Sequence, residues 1–345
     1  MLFPFALIYR IIIRVRNLLY DANILKSSDF NFPIICIGNV AVGGTGKTPM
    51  TEYLIELLQG QHQVATLSRG YKRRTKGFAI AGPQTTAIEI GDEPMQFHQK
   101  FPNVTVAVGE ERLVAIPQIL YQHPNTSVIL LDDAFQHRAV RAGLNILLTE
   151  YGNLYTRDFM MPSGDLRDER KSSKRAHIII VTKCPENLSQ FERSKLVSEI
   201  NPLPNQQVYF TIIQYGTPYH LFKGDKLKIE NTHNVLLLCG IANPMPVKKY
   251  LNEHVHSFEM LKFKDHHIFN SSDLKEIQKQ FHRNTAEQKI IITTEKDAVR
   301  LLKFKNEMTD LPIYVLPVKH HFLFNESDHF NKQVLGFIDS YKKKD

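Results

Sequence analysis

Short apolar runs alternate with amphipathic stretches along most of this chain of 345 residues. The runs typical of strands are residues 64–67, 104–108, 128–131, 146–148, 178–181, 208–213, 235–239, 290–292 and 313–316. Continuous apolar strands separated by helices indicate parallel sheets that are covered by helices on both faces. The pattern therefore predicts an α/β fold, and it shows no internal repeat of fixed period.

Another apolar run, at residues 34–37, leads into a glycine-rich turn and then into a helical pattern. The turn ends in Gly46-Lys47-Thr48, as a phosphate-binding loop does. Glycines let backbone N–H groups converge on an anion, and the helix that follows directs its positive end at it. We predict a nucleoside-triphosphate site in which Lys47 reaches the β and γ phosphates and the Thr48 hydroxyl binds Mg²⁺. The residues predicted to surround the nucleotide are Ala41, Val42, Gly43, Gly44, Thr45, Gly46, Lys47 and Thr48.

The turn departs from the common P-loop pattern at Ala41, where a glycine is expected. Gly43 and Gly44 can supply the flexibility in its place. A glycine-rich strand-to-helix turn without a ligand is the alternative. We favour the nucleotide site because the strand, the turn and the helix all fall where the motif requires them.

Length, charge and cysteine content narrow the class of protein. A chain of this length exceeds one ordinary core, so two domains are expected. The net charge of +8 suits an anionic partner such as phosphate, nucleic acid or an acidic lipid surface. No basic stripe interleaved with aromatic residues occurs, so nucleic acid is not expected, and no obligate protein partner is evident. Cys36, Cys184 and Cys239 lie in apolar runs and are expected to be core thiols of a reduced cytosolic protein.

Residues 1–20 are rich in large apolar side chains but also carry Arg10, Arg14 and Arg16. A signal peptide would keep its charge ahead of the apolar core and end in small residues, and this segment does neither. Three arginines make a clean membrane span costly. We therefore predict that residues 1–20 form a basic helix that lies in the membrane interface. A helix packed on the domain is the alternative.

Two acidic residues follow the apolar run at 128–131. Asp132 and Asp133 would stand at the carboxyl end of a strand, where an acid orders Mg²⁺ beside the γ-phosphate. A strand that ends in a solvated acidic turn is the alternative. We favour the metal role because the same half of the chain carries the Gly-Lys-Thr triplet. Gln136, His137 and Arg138 would lie near the same edge.

A transferase, unlike a module that only binds a nucleoside triphosphate, needs a group that positions and deprotonates an acceptor hydroxyl. Asp92 is one candidate, at the start of a helical stretch, where a helix cap is the alternative role. Asp265-His266-His267 is a second candidate, after a strand-like stretch, with a surface loop or a metal site as the alternatives. The metal site is disfavoured because further ligands at a suitable spacing are missing.

A series of motifs runs through the chain in a fixed order. They are Gly43-Gly44-Thr45-Gly46-Lys47-Thr48-Pro49, Leu67-Ser68-Arg69-Gly70-Tyr71, Gly91-Asp92-Glu93-Pro94, Leu131-Asp132-Asp133-Ala134-Phe135-Gln136-His137, Leu166-Arg167-Asp168, Gly240-Ile241-Ala242-Asn243-Pro244, Phe263-Lys264-Asp265-His266-His267 and Thr294-Glu295-Lys296-Asp297-Ala298. Together they resemble the tetraacyldisaccharide 4′-kinase family of lipid A biosynthesis. The chain departs from the usual family pattern at Ala134, where glycine is usual, and at Asp168, where glutamate is usual.

The resemblance implies a kinase that moves the γ-phosphoryl group of ATP to the 4′-hydroxyl of an acylated glucosamine disaccharide 1-phosphate, with ATP and Mg²⁺ as cofactors. It implies two α/β/α sandwich domains, the first of them P-loop NTPase-like, with the reaction in the cleft between them. The expected segments are 1–30 (membrane-associating helix and lead-in), 31–205 (P-loop kinase domain), 206–230 (two-stranded hairpin linker) and 231–345 (smaller α/β domain). The expected location is the cytoplasmic face of the bacterial inner membrane.

The resemblance also assigns roles to single residues. Asp92 would be the general base, and closure of the cleft would bring His266 to it as its partner. Lys47 would act on the transferring phosphate. The implied metal ligands are Thr48, Asp132 and Asp133. The implied supporting residues at the phosphates or the substrate are Arg112, His137, Arg167 and Asp168.

Two other classes of protein share part of this pattern. A membrane-bound ATPase switch that positions chromosomes or division sites also combines a P-loop with an amphipathic helix, but it typically carries a lysine where this chain has Val42. A GTPase-like module would fit Val181-Thr182-Lys183 at a strand end, but it needs an acid where Pro185 stands. Phosphate transfer from ATP to a lipid disaccharide, compared with ATP hydrolysis without acceptor, separates the three.

Overall fold

The structure is a computed structural model and describes residues 3–342. Its α-helices are α1 (Phe3–Asp21), α2 (Lys47–Leu58), α3 (Ala87–Ile90), α4 (Asp92–Lys100), α5 (Arg112–Gln122), α6 (Gln190–Ile200), α7 (Met245–His254), α8 (Ser271–Arg283), α9 (Glu295–Leu301), α10 (Lys305–Met308) and α11 (Ser327–Lys342). Its strands are β1 (Ser28–Asp29), β2 (Ile34–Gly38), β3 (Val64–Ser68), β4 (Ala79–Ile80), β5 (Thr105–Val108), β6 (Val128–Asp132), β7 (Val140–Arg141), β8 (Leu144–Glu150), β9 (Ile178–Thr182), β10 (Gln207–Tyr215), β11 (Tyr219–His220), β12 (Asn234–Cys239), β13 (Ser257–Lys262), β14 (Lys289–Thr294), β15 (Ile313–Leu316) and β16 (Val318–Phe322).

Most of the strands form two sheets. The nine-stranded sheet has the order β16-β10-β9-β8-β2-β6-β3-β5-β4, and the five-stranded sheet has the order β11-β15-β14-β12-β13. Neighbours are parallel except at the edges, where β16, β4 and β11 are antiparallel. Every apolar run predicted to be a strand lies on a strand, so the α/β prediction is confirmed. The sheets are mixed rather than wholly parallel. The sequence did not reveal the antiparallel edge strands, because they are short or polar and carry no continuous apolar run.

The large sheet is buried on both faces, as its continuous apolar strands require. Along β2, Ile34 and Cys36 pack into one hydrophobic cluster, and Ile35 and Ile37 pack into the other. Alternate residues of a strand point to opposite faces, so a strand covered on both faces is apolar throughout. The predicted cysteines are buried and free. The three cysteines are Cys36, Cys184 and Cys239.

The predicted hairpin linker at 206–230 is not formed. β10 pairs with β9 and β16 in the large sheet, whereas β11 pairs with β15 in the small sheet. The chain crosses between the sheets twice, once between β10 and β11 and once between β15 and β16. The two-stranded connection is therefore the antiparallel pair of β10 and β16. The sequence did not reveal β16 because its residues, Val318-Lys319-His320-His321-Phe322, are largely polar.

The C-terminal segment returns to the large sheet. Phe322 on β16 and Phe330 and Val334 on α11 belong to the same hydrophobic cluster as Met50 on α2. Residues 318–342 were expected in the smaller unit, and their packing places them with the large sheet instead. Residues 343–345 of that expected segment lie outside the described residues.

Helix α1 packs against the unit that contains the large sheet, and only one narrow face of the helix makes the contact. Ala6 and Asn17 are buried, and Tyr9 and Ile13 pack partly buried against the core. Eight other large apolar side chains of the helix are about half or more exposed, and they are Phe3, Phe5, Leu7, Ile8, Ile11, Ile12, Val15 and Leu18. Met1 and Leu2 of the predicted segment lie outside the described residues. Within residues 3–342, no helix has both the length and the apolar character needed to cross a membrane.

Candidate active site

The glycine-rich turn connects β2 to α2 at the carboxyl edge of the large sheet. Gly43 and Gly46 have positive φ values of 108° and 88°, a conformation that glycine adopts without strain. Ala41 is not among the residues with positive φ, and it forms an isolated bridge with Leu166. The turn therefore takes the expected course without glycine at position 41.

Side chains outside the turn hold its backbone in place. The Asn39 side-chain amide donates to the Thr45 hydroxyl at 3.0 Å, and the Gln136 amide donates to the Asn39 carbonyl oxygen at 2.6 Å. The Thr182 hydroxyl donates to the Thr45 carbonyl oxygen at 2.9 Å. A fixed loop presents its N–H groups to an anion without reorganising, which favours phosphate binding.

His320 supports the start of α2 from the crossing strand β16. Its Nε2 lies 2.9 Å from the Gly46 carbonyl oxygen and its Nδ1 lies 2.9 Å from the Thr211 hydroxyl. A carbonyl only accepts, so Nε2 carries the proton and Nδ1 accepts from Thr211. Burial lowers the pKa of His320 to about 4, so the ring is neutral near neutral pH. The strand pair that joins the two sheets thus contacts the phosphate-binding turn directly.

The paired acids lie beside the turn, at the end of β6. Asp132 is buried, and its two carboxylate oxygens accept from the hydroxyls of Thr51 and Ser68, each at 3.3 Å. Burial and the neighbouring charge of Asp133 raise the pKa of Asp132 to about 6. Asp133 Oδ1 lies 3.7 Å from Lys47 Nζ. The structure therefore brings Lys47 and both predicted acids together.

These residues fit a magnesium ion that binds together with a nucleotide. Mg²⁺ usually takes one or two carboxylates and completes its shell with phosphate oxygens and water. Burial raises the pKa of Asp132, and the adjacent charge of Asp133, which a cation would offset, raises it further. Thr48 is the second residue of α2, next to Lys47. In the part of the chain that the structure describes, no cluster of three or more His, Cys, Asp and Glu side chains can hold a metal.

Three of the predicted supporting residues lie around the paired acids. The Arg167 guanidinium contacts the Asp133 carboxylate and the Asn39 side-chain oxygen, and so joins the acids to the turn. Arg112 is buried and donates to the Gly109 carbonyl oxygen at 2.8 Å. Burial and the nearby charge of Arg112 lower the pKa of His137 to about 4. Arg167 and Arg112 therefore place positive charge beside the Asp133 carboxylate, whereas His137 is neutral near neutral pH.

Asp168, the fourth predicted supporting residue, is committed to a structural network. It is 1% exposed, and its carboxylate accepts from Asn17 and Ser172 at 2.8 Å and from Arg175 at 3.0 Å. Asn17 belongs to α1, so Asp168 fixes that helix to the site-bearing loops. Its contacts are with protein groups rather than with an open surface.

Asp92 and His266 form a hydrogen-bonded pair. His266 Nδ1 lies 2.7 Å from Asp92 Oδ2, and the His266 ring stands edge-on to Tyr71. The pair is in contact in this structure, and the closure of a cleft to form it stays a prediction. Lys296 pairs with Glu93 at 2.8 Å, and its charge acts on both Lys47 and Asp92. The phosphate-binding lysine and the carboxylate therefore share one electrostatic environment.

Two of the alternative roles of these residues do not match the structure, whereas Asp265-His266-His267 does lie in a loop near the surface. The N-cap of α4 is Gly91, and Asp92 is the first helical residue, with its carboxylate directed at Arg300 and His266. His267 pairs with Asp273 at 2.9 Å, away from His266, so the two histidines do not share a ligand. The helix-cap and metal-site alternatives are therefore not supported.

Sequence reasoning missed Arg300 as a member of the site. Its Nε donates to Asp92 Oδ1 at 2.8 Å, and it also contacts Asp92 Oδ2. Arg300 lies on α9, four residues after Lys296, and so on the same helical face. That spacing was visible in the sequence, but the partner is 208 residues away in the chain. Ser68, Thr51 and His320 were missed for the same reason.

A phosphate-binding turn at the carboxyl edge of a largely parallel sheet, with paired acids on the next strand and an Asp–His pair nearby, defines a P-loop protein of the kinase class. Sequence comparison identifies the family. A family model described as Tetraacyldisaccharide-1-P 4'-kinase matches residues 1–339, so the chain belongs to the tetraacyldisaccharide 4′-kinase family, whose members are ATP-dependent kinases.

Individual relatives agree with this assignment. The chain is 43% identical over 351 residues to a tetraacyldisaccharide 4′-kinase of Bacteroides thetaiotaomicron. This alignment covers 98% of this chain and 92% of the relative. It is 46% identical over 339 residues to that of Flavobacterium johnsoniae, with 98% and 96% covered. A crystal structure of the "apo" form of LpxK from Aquifex aeolicus in complex with ATP has a TM-score of 0.77 at 26% identity and covers 98% of both chains. The family resemblance and the α/β fold are confirmed.

Proposed function

We propose that this protein transfers the γ-phosphoryl group of ATP to the 4′-hydroxyl of an acylated glucosamine disaccharide 1-phosphate. The observation that carries the proposal is the Asp92–His266 pair, which lies in one electrostatic environment with Lys47 of the phosphate-binding turn. A nucleotide-hydrolysing switch would need no such carboxylate for an acceptor. The named activity of the relatives supports the same substrate.

The chemistry follows from the positions of these groups. The acceptor oxygen forms a bond to the γ-phosphorus as the bond from that phosphorus to the β–γ bridging oxygen breaks, and ADP leaves. The hydroxyl proton passes to Asp92, and His266 orients the carboxylate. Phosphoryl transfer depends mostly on positioning and charge stabilisation, so Lys47 and the amides of the turn supply much of the acceleration. A general base adds about 10²–10⁴-fold.

Mg²⁺ is the second proposed cofactor. When bound, it would neutralise charge on the β and γ phosphate oxygens. Thr48 and Asp132 are the residues that would hold it, with Asp133 beside them. Arg167 and Lys47 keep Asp133 in place: burial raises the pKa of the Asp133 carboxyl, but these two cations outweigh burial and lower it.

We further propose that α1 rests on a membrane surface, at the cytoplasmic face of the bacterial inner membrane. The helix exposes apolar side chains on most of its circumference and carries Arg10, Arg14 and Arg16. Such a helix gains both from apolar burial and from attraction to anionic lipids. The acceptor's acyl chains hold it in the bilayer at about 0.8 kcal/mol per buried CH₂, so the enzyme must reach it there.

The two sheets suggest a division into two domains. We propose that residues 31–215 and 318–342 form the P-loop domain and that residues 219–316 form the smaller one. The change from the sequence-based boundaries follows from β16 and α11, which pack with the large sheet. Asp92 and His266 then come from different domains, so the reaction would take place where the two meet.

The function is tested by transfer of labelled phosphate from ATP to a purified acylated disaccharide 1-phosphate in detergent micelles. Asp92→Asn is expected to lower kcat by about 10²–10⁴-fold, because the amide cannot accept the proton, while the KM for ATP changes little. Glu89→Gln, on the preceding helix α3, is the matched control and should leave both constants unchanged. Wild-type protein that hydrolyses ATP but labels no lipid would contradict the proposal.

A further inference from the structure

Arg300 holds both oxygens of the Asp92 carboxylate. Its Nε donates to Asp92 Oδ1 at 2.8 Å, and a second guanidinium nitrogen contacts Oδ2. That second nitrogen also lies 3.0 Å from His266 Nδ1. Arg300 is 8% exposed, so water does not compete effectively for these contacts. A bidentate arginine fixes a carboxylate in position and in orientation.

The guanidinium is placed by a contact between two helices, one beside each sheet. Helix α4 carries the Asp92 carboxylate, and α9 follows β14 of the small sheet. Three ion pairs join the helices in antiparallel order, and they are Asp92 with Arg300, Glu93 with Lys296, and Lys100 with Glu295. The Lys100 ammonium also pairs with Glu52 on α2 at 2.6 Å. The position of Arg300 is therefore set by the packing of α9 on α4 as well as by the contacts of its own guanidinium.

Arg300 supplies much of the positive charge around Asp92. The charged or titratable groups that face the Asp92–Arg300 pair are His266, Lys296, Asp265 and Asp297. Burial raises the pKa of Asp92, but hydrogen bonds from Arg300 and His266 outweigh it and lower the pKa to about 2. Removal of Arg300 would leave a buried carboxyl with one imidazole partner.

The contacts also distinguish the two carboxylate oxygens. Oδ2 lies against both Arg300 and His266, whereas Oδ1 accepts, among residues 3–342, from Arg300 alone. Each carboxylate oxygen has about two acceptor sites, so Oδ1 retains one for an incoming hydroxyl.

We propose that Arg300 is a positioning residue for phosphoryl transfer, which keeps Asp92 ionised and directs its Oδ1 towards the acceptor hydroxyl. The direction of Oδ1 towards an acceptor hydroxyl rests on the proposed function, whereas the effect of Arg300 on the Asp92–His266 pair does not. The pair would then be assembled by the docking of α9 on α4.

Arg300→Met and Arg300→Lys test the proposal, with Arg283→Met, an exposed arginine on α8, as the control. The methionine variant is expected to lower kcat by roughly 10–100-fold, the cost of a misplaced catalytic group, with the KM for ATP within about twofold. The acid limb of its kcat/KM profile should move to higher pH, because burial then governs Asp92. The lysine variant keeps the charge and should recover part of kcat, with its acid limb near that of the wild type. A methionine variant with wild-type kcat, or an acid limb unmoved in both variants, would overturn the proposal.

The NMR chemical shifts of the His266 ring nitrogens in substrate-free protein give a readout independent of activity. Loss of Arg300 should change the chemical shift of His266 Nδ1 in the methionine variant, because both Arg300 and Asp92 lie against that nitrogen, and the lysine variant should stay closer to the wild type. Should the methionine variant not fold, the lysine variant decides: an acid limb displaced to higher pH, together with a His266 Nδ1 chemical shift equal to that in Asp92→Asn, would refute the role of the charge. If wild-type protein transfers no phosphate to lipid, the proposed function fails, and the NMR result still tests Arg300.

Discussion

Acid is expected to destabilise this protein through His320. The ring is 5% exposed, and it donates from Nε2 to Gly46 in the phosphate-binding turn while Nδ1 accepts from Thr211. Protonation at Nδ1 would remove that acceptor and bury a charge. The pKa of the ring is lowered by burial to about 4, whereas a histidine in an unfolded chain titrates near 6.5.

The size of the effect follows from these two pKa values. Between them the unfolded chain binds a proton that the folded protein does not, so the free energy of unfolding rises with pH. The His320 contribution is therefore complete above about pH 6.5 and is lost as the pH falls towards 4. A difference of about 2.5 pKa units corresponds to about 3 kcal/mol.

The assay is urea unfolding at a series of pH values for wild type, His320→Gln and His321→Gln. Glutamine keeps an N–H donor for Gly46 but does not titrate, and His321 is the exposed neighbour on the same strand. His137, whose pKa is also lowered, contributes equally to all three proteins and cancels in the comparison. Wild type and His321→Gln should lose about 3 kcal/mol more than His320→Gln between pH 6.5 and 4. Parallel pH profiles for all three proteins would refute the reasoning.

Two further predictions concern the turn and α1. Gly46→Ala should lower the free energy of unfolding by about 1–3 kcal/mol and weaken ATP binding, because the φ of Gly46 is 88° and the new Cβ would lie 2.9 Å from His320 Nε2. An unchanged midpoint of urea unfolding and an unchanged affinity for ATP would contradict this prediction. The double variant Ile8→Glu, Ile12→Glu should reduce co-sedimentation with anionic vesicles while ATP binding stays unchanged, because both side chains are more than half exposed. Val114→Glu, an exposed apolar position on α5, is its control, and equal vesicle binding by the two variants would argue against a membrane role for α1.

The features that the sequence predicted are those set by local pattern. The phosphate-binding turn lies within one short stretch, and strands such as β2 and β9 are apolar throughout because both faces are buried. β16 escaped prediction because His320 and His321 give it no apolar run, and its partner β10 is more than 100 residues earlier in the chain. Arg300 was missed because an ion pair across 208 residues leaves no periodic signal. The pairing of Asp92 with His266 came from the family resemblance and not from spacing.

Helix α1 donates hydrogen bonds to the backbone of two loops near the site, so its removal affects more than contact with a membrane. Its Tyr9 hydroxyl donates to the Arg167 carbonyl oxygen at 3.1 Å, and its Arg16 donates to the Gln136 carbonyl oxygen at 2.7 Å. Truncation of the helix would strip partners from the backbone of two loops that hold the paired acids and the turn. A shortened enzyme could then lose activity in detergent solution, where no bilayer is involved. Only substitutions of the exposed side chains of α1 separate its proposed contact with a membrane from its support of these two loops.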